Sequence, residues 1–162
     1  MSSDIRTTTI DSPVGPLRIT ASGSGIREIR FLEDPLDDVA EIAGPIVDEL
    51  LAYFAGELRE FSVETDLDAV SEFTRKVLLA TAEIPYGETV SYGEIAKRIG
   101  MPGATQAVGN ALGANPVPIV VPCHRVIRSD GSMGWFTGGP HIKRALLRIE
   151  GVDFPEQATL PL

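Results

Sequence analysis

The chain has 162 residues, 43% of them hydrophobic, with a formal net charge of −9 and a single cysteine. That length holds one compact domain or two small ones sharing an interface, and the apolar content is ample for a core. One cysteine excludes an internal disulfide and a multi-cysteine zinc site; two histidines argue against a His-rich metal site; and no run approaches the roughly 18 apolar residues that a membrane span needs.

The first nine residues are polar and lack the apolar stretch of a signal peptide, so a cytoplasmic protein is expected. Residues 5–32 read as a small β-meander. Residues 6–10 are β-branched, residues 11–16 are dense in turn formers, residues 17–20 alternate, residues 23–25 break the pattern and residues 26–31 resume it. The acidic stretch 33–43 is expected to be a loop with a short helix. Ile46, Leu50, Leu51 and Phe54 fall at helical spacing and Gly56 ends that run. Residues 61–65 alternate and predict a further strand.

Composition shifts near residues 66–71, and helix dominates from there. Phe73, Val77, Ala80 and Ile84 form a stripe stopped by Pro85 and Gly87. Ser91 and Glu94 have capping-box spacing at the head of a short helix through Ile95 and Ile99. Residues 100–103 form a turn, and residues 104–112 a second short helix of small side chains. Two short helices about a glycine-containing turn outline a helix-turn-helix. An apolar run, 119–121, leads into Pro122-Cys123-His124-Arg125, followed by a polar, glycine-rich loop over 128–139. Pro140 suits the first turn of a last helix that faces Ile142, Leu146 and Ile149 inward.

Charge is unevenly spread. Residues 1–96 carry a net −12, residues 97–148 a net +6 and the remainder −3. A DNA-facing half on an acidic body gives this asymmetry, and so does a merely solvated basic face. Ala107, Gly109, Ala111 and Gly113 fill a core poorly but suit a helix that must approach a groove closely.

On residue type alone, a single cysteine is a small buried hydrophobe more often than a catalyst. Around Cys123, Pro122 stiffens the chain, and His124 and Arg125 are expected to depress the thiol pKa. Neighbours on an extended chain point to opposite faces, so proton transfer from Cys123 to His124 is expected to need a bridging water or a folded-back turn. Glu150 can orient the far nitrogen of His124, although at the end of a helix an ordinary surface glutamate is the commoner reading. A DNA-binding sensor without chemistry and a cysteine hydrolase are the rival readings; the first predicts a silent Cys123→Ala, the second repeated turnover.

The stretch Ile84-Pro-Tyr-Gly-Glu-Thr-Val-Ser-Tyr-Gly-Glu-Ile-Ala96, then Ala107-Val-Gly109, then Asn115-Pro-Val-Pro-Ile-Val-Val-Pro-Cys-His-Arg-Val126, with Gly138-Gly139, Leu146-Leu147 and Glu150-Gly151, resembles the O6-alkylguanine-DNA alkyltransferases. The likeness is dense over residues 70–152. It is thinner in residues 11–17 and at Tyr53-Phe54. The resemblance implies an α+β fold, with a structural N-terminal unit (1–68) of sheet and helix packed on a helical C-terminal unit (69–162) with the helix-turn-helix and cysteine loop. It implies a one-shot transfer of an alkyl group from the O6 of a flipped guanine in double-stranded DNA to Cys123. His124 would take the thiol proton through a water, Glu150 would orient it, and Asn115 would tie the recognition helix to the cysteine loop. Tyr92 would donate to N3 of the guanine. Carbonyls at Cys123 and Val126 would accept its amine, and Thr137 would offer an amide to O6. Pro118 and Phe136 would wall the pocket, Leu112 would pack beside the base, and Gly134 would leave room for benzyl as well as methyl groups. Arg125 and Ala107 complete the expected DNA or base contacts. No cofactor, no metal and a monomer are expected. Two departures stand out: Gln106 occupies the place where the family usually has an arginine that enters the base stack, and Trp135 stands where smaller or polar residues are common.

Overall fold

The computed structural model describes residues 5–33, 44–134 and 136–153. The helix expected within 33–43, and Trp135, lie outside the described residues except for Glu33. The architecture is α+β. Strands β1 (Arg6–Ile10), β2 (Leu17–Ser22) and β3 (Gly25–Phe31) form an antiparallel sheet in that order, with Ile10 opposite Leu17 and Leu17 opposite Phe31. The β-branched residues and the turn residues lie where the alternation put them. Leu17, Ile19, Ile26 and Ile29 point from the sheet into the core, each no more than 4% exposed. Helix α1 (Pro45–Phe54) buries Ile46, Leu50 and Tyr53.

Residues 61–65 do not form a strand. Their last residues meet the outer edge of β3 only through Ile26, whose amide donates to Glu64 O (2.8 Å) and whose carbonyl accepts from the Asp66 amide (2.7 Å). The next donor on that edge, the Ile29 amide, goes to Pro116 O at 2.8 Å. The edge of β3 is therefore shared between two loops, which blunts it without a fourth strand.

Helix α2 (Glu72–Ala82) is capped by Ser71, whose hydroxyl accepts from the Thr74 amide. Its buried face is Thr74, Val77, Leu78 and Thr81, one step round from the predicted stripe, with Phe73 and Ala80 only partly covered. Threonine is admitted because Thr81 Oγ1 donates to its own helix at Val77 O, 2.8 Å. Strand β4 (Val90–Ser91) pairs in parallel with β5 (Val126–Ile127). Helix α3 (Tyr92–Arg98) starts at Ser91, which caps Glu94 N as predicted; the glutamate side chain, rather than reaching back, pairs with Arg98 one turn on at 3.1 Å. Helix α4 (Thr105–Gly113) packs on α3 and α2, burying Val108, Ala111 and Leu112. Helix α5 (Pro140–Ile149), with proline in its first turn, buries Ile142, Leu146, Leu147 and Lys143. Among the described residues no helix is long and apolar enough to cross a membrane.

Candidate active site

The chain between α4 and β5 is held in a compact, strained turn. Asn115, buried, accepts from the Val117 amide at 2.9 Å and donates Nδ2–H to Val121 O at 3.0 Å. Val121 N closes an α-turn on Val117 O, and Cys123 N reaches Val121 O at 2.7 Å. Inside the turn Ile119 sits at φ +77° while only 1% exposed. A β-branched residue in the left-handed region costs about 1–3 kcal/mol. The two side-chain hydrogen bonds of Asn115 and the burial of Ile119 hold the turn against that cost. It ends in a single 3-10 turn, Cys123–Arg125, rather than the extended chain expected from the sequence.

Two side chains of that 3-10 turn, His124 and Arg125, converge on Glu150. His124 is fully buried, and its Nε2 lies 2.7 Å from Glu150 Oε2. A carboxylate only accepts, so Nε2 carries the proton and Nδ1 is the bare acceptor. Nδ1 is buried and has no hydrogen-bond partner among the described residues. Burial holds the imidazole below its ordinary pKa, against the hydrogen bond to Glu150. Glu150 is not the surface residue its position suggested: it is 6% exposed. It takes Arg125 Nε at 2.8 Å and Nη2 at 2.9 Å, the Tyr53 hydroxyl at 2.6 Å and the Gly87 amide at 3.2 Å. Burial pushes its carboxyl up, but the hydrogen bonds from His124 and Arg125 outweigh burial and hold it well below the usual carboxylate range. With Arg125 neutralising Glu150 bidentately, His124 need not be charged.

Arg125, expected at the DNA surface, is a correction. Besides Glu150 it donates to Ile84 O at 2.6 Å, stacks 5.7 Å from the Tyr86 ring centroid and is 6% exposed, so its guanidinium is spent inside the protein. The expected depression of the thiol by His124 and Arg125 also fails. Burial pushes the Cys123 thiol up, opposed by a hydrogen bond from Asn115 and by the charge of Lys143. Sequence reasoning missed Lys143: it is fully buried, donates Nζ–H to Val126 O at 2.7 Å, lies 5.9 Å from the Tyr92 ring centroid, and is lowered by burial to about 8. It missed Tyr53 too, 97 positions from its partner. Only the amphipathic pattern of α5, which puts position 143 on the same face as Leu146, pointed to the lysine.

Outside this buried set, Tyr92, Gly109, Leu112, Cys123, Phe136 and Thr137 line a pocket of about 10 Å³, roughly the room one water needs. A purine does not fit this pocket as it stands. Pro118 is buried in the strained turn, bridged to Val121, and is not one of those six residues. The Val126 carbonyl already accepts from Lys143, and the Cys123 carbonyl from the Val126 amide. Gly134, at φ +78°, does not border free space: a Cβ there would fall 2.7 Å from the Tyr92 hydroxyl. The space that was expected to admit larger alkyl groups is occupied by Tyr92. A wider groove of about 570 Å³ adjoins the pocket and is lined by Tyr92, Thr105, Gln106, Gly109, Asn110, Gly113 and Arg128. Gln106 is exposed on this face of α4, Ala107 is exposed on the helix but does not line the groove, and among the described residues Arg128 is the one cation lining it.

Residues 72–152 match the DNA-binding domain of the 6-O-methylguanine DNA methyltransferases, and residues 5–67 match their ribonuclease-like domain. A methylated-DNA–protein-cysteine methyltransferase of Mycobacterium tuberculosis is 49% identical over 160 residues, 94% of this chain and 96% of the relative. A crystal structure of M. tuberculosis OGT in complex with DNA superposes with a TM-score of 0.80 at 50% identity, covering 88% of this chain and 90% of that one. The O6-methylguanine-DNA methyltransferase of Pyrococcus kodakaraensis superposes at 0.69 with 26% identity, covering 91% and 99%. With both halves matched and close to half the residues shared along nearly the whole length, the chain belongs to the 6-O-methylguanine DNA methyltransferase family.

Proposed function

We propose that this protein repairs double-stranded DNA by moving the alkyl group of an O6-alkylguanine onto Sγ of Cys123, once per molecule. The observation that carries this reading is the bare, buried Nδ1 of His124, fixed by Glu150 on the residue next to the only cysteine. A water between Nδ1 and Sγ passes the thiol proton to His124. The thiolate attacks the alkyl carbon, the carbon–O6 bond breaks, a thioether forms, and the guanine keeps the bonding pair and regains a ring proton. Lys143 and the amide of Asn115 stabilise the thiolate as it forms. The product thioether has no hydrolytic group facing it, so the protein is consumed.

Tyr92 donates to the departing base, and Leu112, Phe136 and Thr137 enclose it, with the Cys123 and Val126 carbonyls taking its amine. Pro118 acts through the strained turn rather than by touching the base. Gln106 meets the duplex along the α4 groove and fills the gap the base leaves, with Ala107 exposed beside it on α4. The test is the mass of the intact protein after incubation with a short duplex carrying O6-methylguanine. One methyl group per molecule in the wild type, and none in Cys123→Ala, is expected. An unchanged mass with the duplex still bound would replace this reading with a damage sensor that does no chemistry.

A further inference from the structure

Glu150 is the hub of the buried network, and one of its partners comes from far away in the chain. Tyr53 lies on α1, packed among the rings of Phe54, Phe61 and Tyr86 at centroid distances of 5.5, 5.5 and 6.2 Å. It is fully buried, and its hydroxyl has one good acceptor, Glu150 Oε2 at 2.6 Å. The same oxygen receives His124 Nε2 at 2.7 Å and Arg125 Nη2 at 2.9 Å. Filling the space between the rings of Phe54, Phe61 and Tyr86 needs only an aromatic ring. The hydroxyl, and its aim at the oxygen that also holds the catalytic imidazole, are not needed for packing.

We propose that Tyr53 is a positioning residue for alkyl transfer, whose hydroxyl fixes the Glu150 carboxylate and tunes how strongly that carboxylate holds the Nε2–H of His124. The inference rests on the alkyl-transfer function proposed above. A donor on Oε2 withdraws negative charge from the oxygen that His124 uses. This weakens the carboxylate's preference for an imidazolium and keeps Nδ1 a free base. The groups facing this pair are Glu150 and Arg125 directly, Tyr86 beside Tyr53, Arg59 over Tyr86 (5.2 Å to the ring centroid), and Lys143 and Cys123 on the far side of His124. Removing one hydroxyl takes a donor from Glu150 and leaves the other groups in place.

Two variants of the full chain test the idea in opposite directions. Tyr53→Phe keeps the ring and deletes the donor. The transfer rate on an O6-methylguanine duplex is expected to fall about tenfold at its plateau. The acid limb of the rate–pH profile is expected to move up by about half a unit, because the unscreened carboxylate favours imidazolium. Replacing Tyr53 by 3-fluorotyrosine supplies a stronger donor in the same shape, and the limb is expected to move down. The Nε2–H proton resonance of His124, one of only two histidines, is followed in the same samples. It is expected further downfield in Tyr53→Phe and less so with fluorotyrosine. An acid limb and a resonance unmoved in both variants would overturn the proposal, and so would a Tyr53→Phe that loses thermal stability and rate together while fluorotyrosine is silent. If the wild type transfers no methyl, the functional reading fails by itself, and the resonance still decides the role of Tyr53.

Discussion

Lys143 carries a cost that only function repays. Its ammonium is fully buried, with Val126 O as a neutral acceptor, and burial lowers it to about 8 from an ordinary 10.5. A depressed folded pKa means that stability is gained as pH rises from about 8 to about 10.5 and is missing below it. Lys143→Met, similar in shape and free of that penalty, is therefore expected to melt no lower than the wild type near neutral pH. It is also expected to transfer alkyl groups about tenfold more slowly, because the thiolate loses its neighbouring cation. Thermal melts and single-turnover rates on one preparation check both; an equal rate would remove Lys143 from the chemistry. His124 and Glu150 titrate with the same sign at lower pH. Both are depressed on folding, so their contribution is complete above the unfolded values, about 6.5 and about 4.5, and drains away as pH falls below each in turn. The melting temperature is expected to decline from about pH 6.5 and more steeply below about pH 4.5; a flat curve over that span would contradict the buried network. Cys123 and His124 were legible in the sequence because the local Pro-Cys-His-Arg run names them. Glu150 was named as the orienter of His124, with a surface residue as the commoner reading at a helix end; the buried roles of Arg125, Tyr53 and Lys143 were not legible, since each depends on a partner 17 to 97 positions away. Arg125 looked like a DNA contact only while its own carboxylate was out of sight.

Helix α4 shows what periodicity reveals and what it leaves open. Its small residues Ala107, Gly109, Ala111 and Gly113 read as one groove-approaching set; the fold puts Gly109 and Gly113 on the groove but buries Ala111 with Val108 and Leu112. Spacing was silent on Tyr92, which lies against Gly109 and Gly134 and fixes how closely the helix and the loop can approach. The strand expected at residues 61–65 failed for a related reason. Alternation describes one face of a segment, but a strand also needs a free edge along its length, and Pro116 already occupies that of β3 beyond Ile26. Two expectations follow for these elements. Gly134→Ala strains the backbone and drives a methyl group into the Tyr92 hydroxyl, so the transfer rate is expected to drop about tenfold or more with a smaller loss of binding; an unchanged rate would show that Tyr92 yields freely. On the open face, α4 carries no charge and Arg128 is the groove's cation. Plotting log affinity for an O6-methylguanine duplex against log salt, Arg128→Ala is expected to flatten the slope by about 0.9, and Gln106→Arg to steepen it by as much and speed duplex repair. Slopes that do not respond to either change would place the DNA elsewhere.

The acidic N-terminal half and the basic stretch around α4 invite a division at residues 68 and 69, one unit for support and one for chemistry. The contacts argue that such units would not work apart. Three contacts among the described residues tie the N-terminal half to the site region most directly: the Ile29 amide on Pro116 O at the foot of the strained turn, the Phe31 ring 5.7 Å from that of Phe136 in the pocket wall, and the Tyr53 hydroxyl on Glu150. Each supports a different part of the site, namely the turn that carries Cys123, a side chain of the pocket wall, and the carboxylate bonded to His124. Residues 69–162 expressed alone would keep every group proposed to touch the DNA. They would leave a Glu150–Arg125 pair hydrated on one side, Phe136 without its packing partner, and a turn holding Ile119 at φ +77° with one tether fewer. Duplex binding by that fragment is therefore expected to survive within a few fold, since the α4 groove is intact, while methyl transfer measured by intact mass slows by at least about tenfold. Adding residues 1–68 in trans should restore part of the rate if the three contacts re-form. A fragment that transfers as fast as the full chain would mean that the N-terminal sheet and helix only shield the core, and that the site is set by residues 69–162 alone.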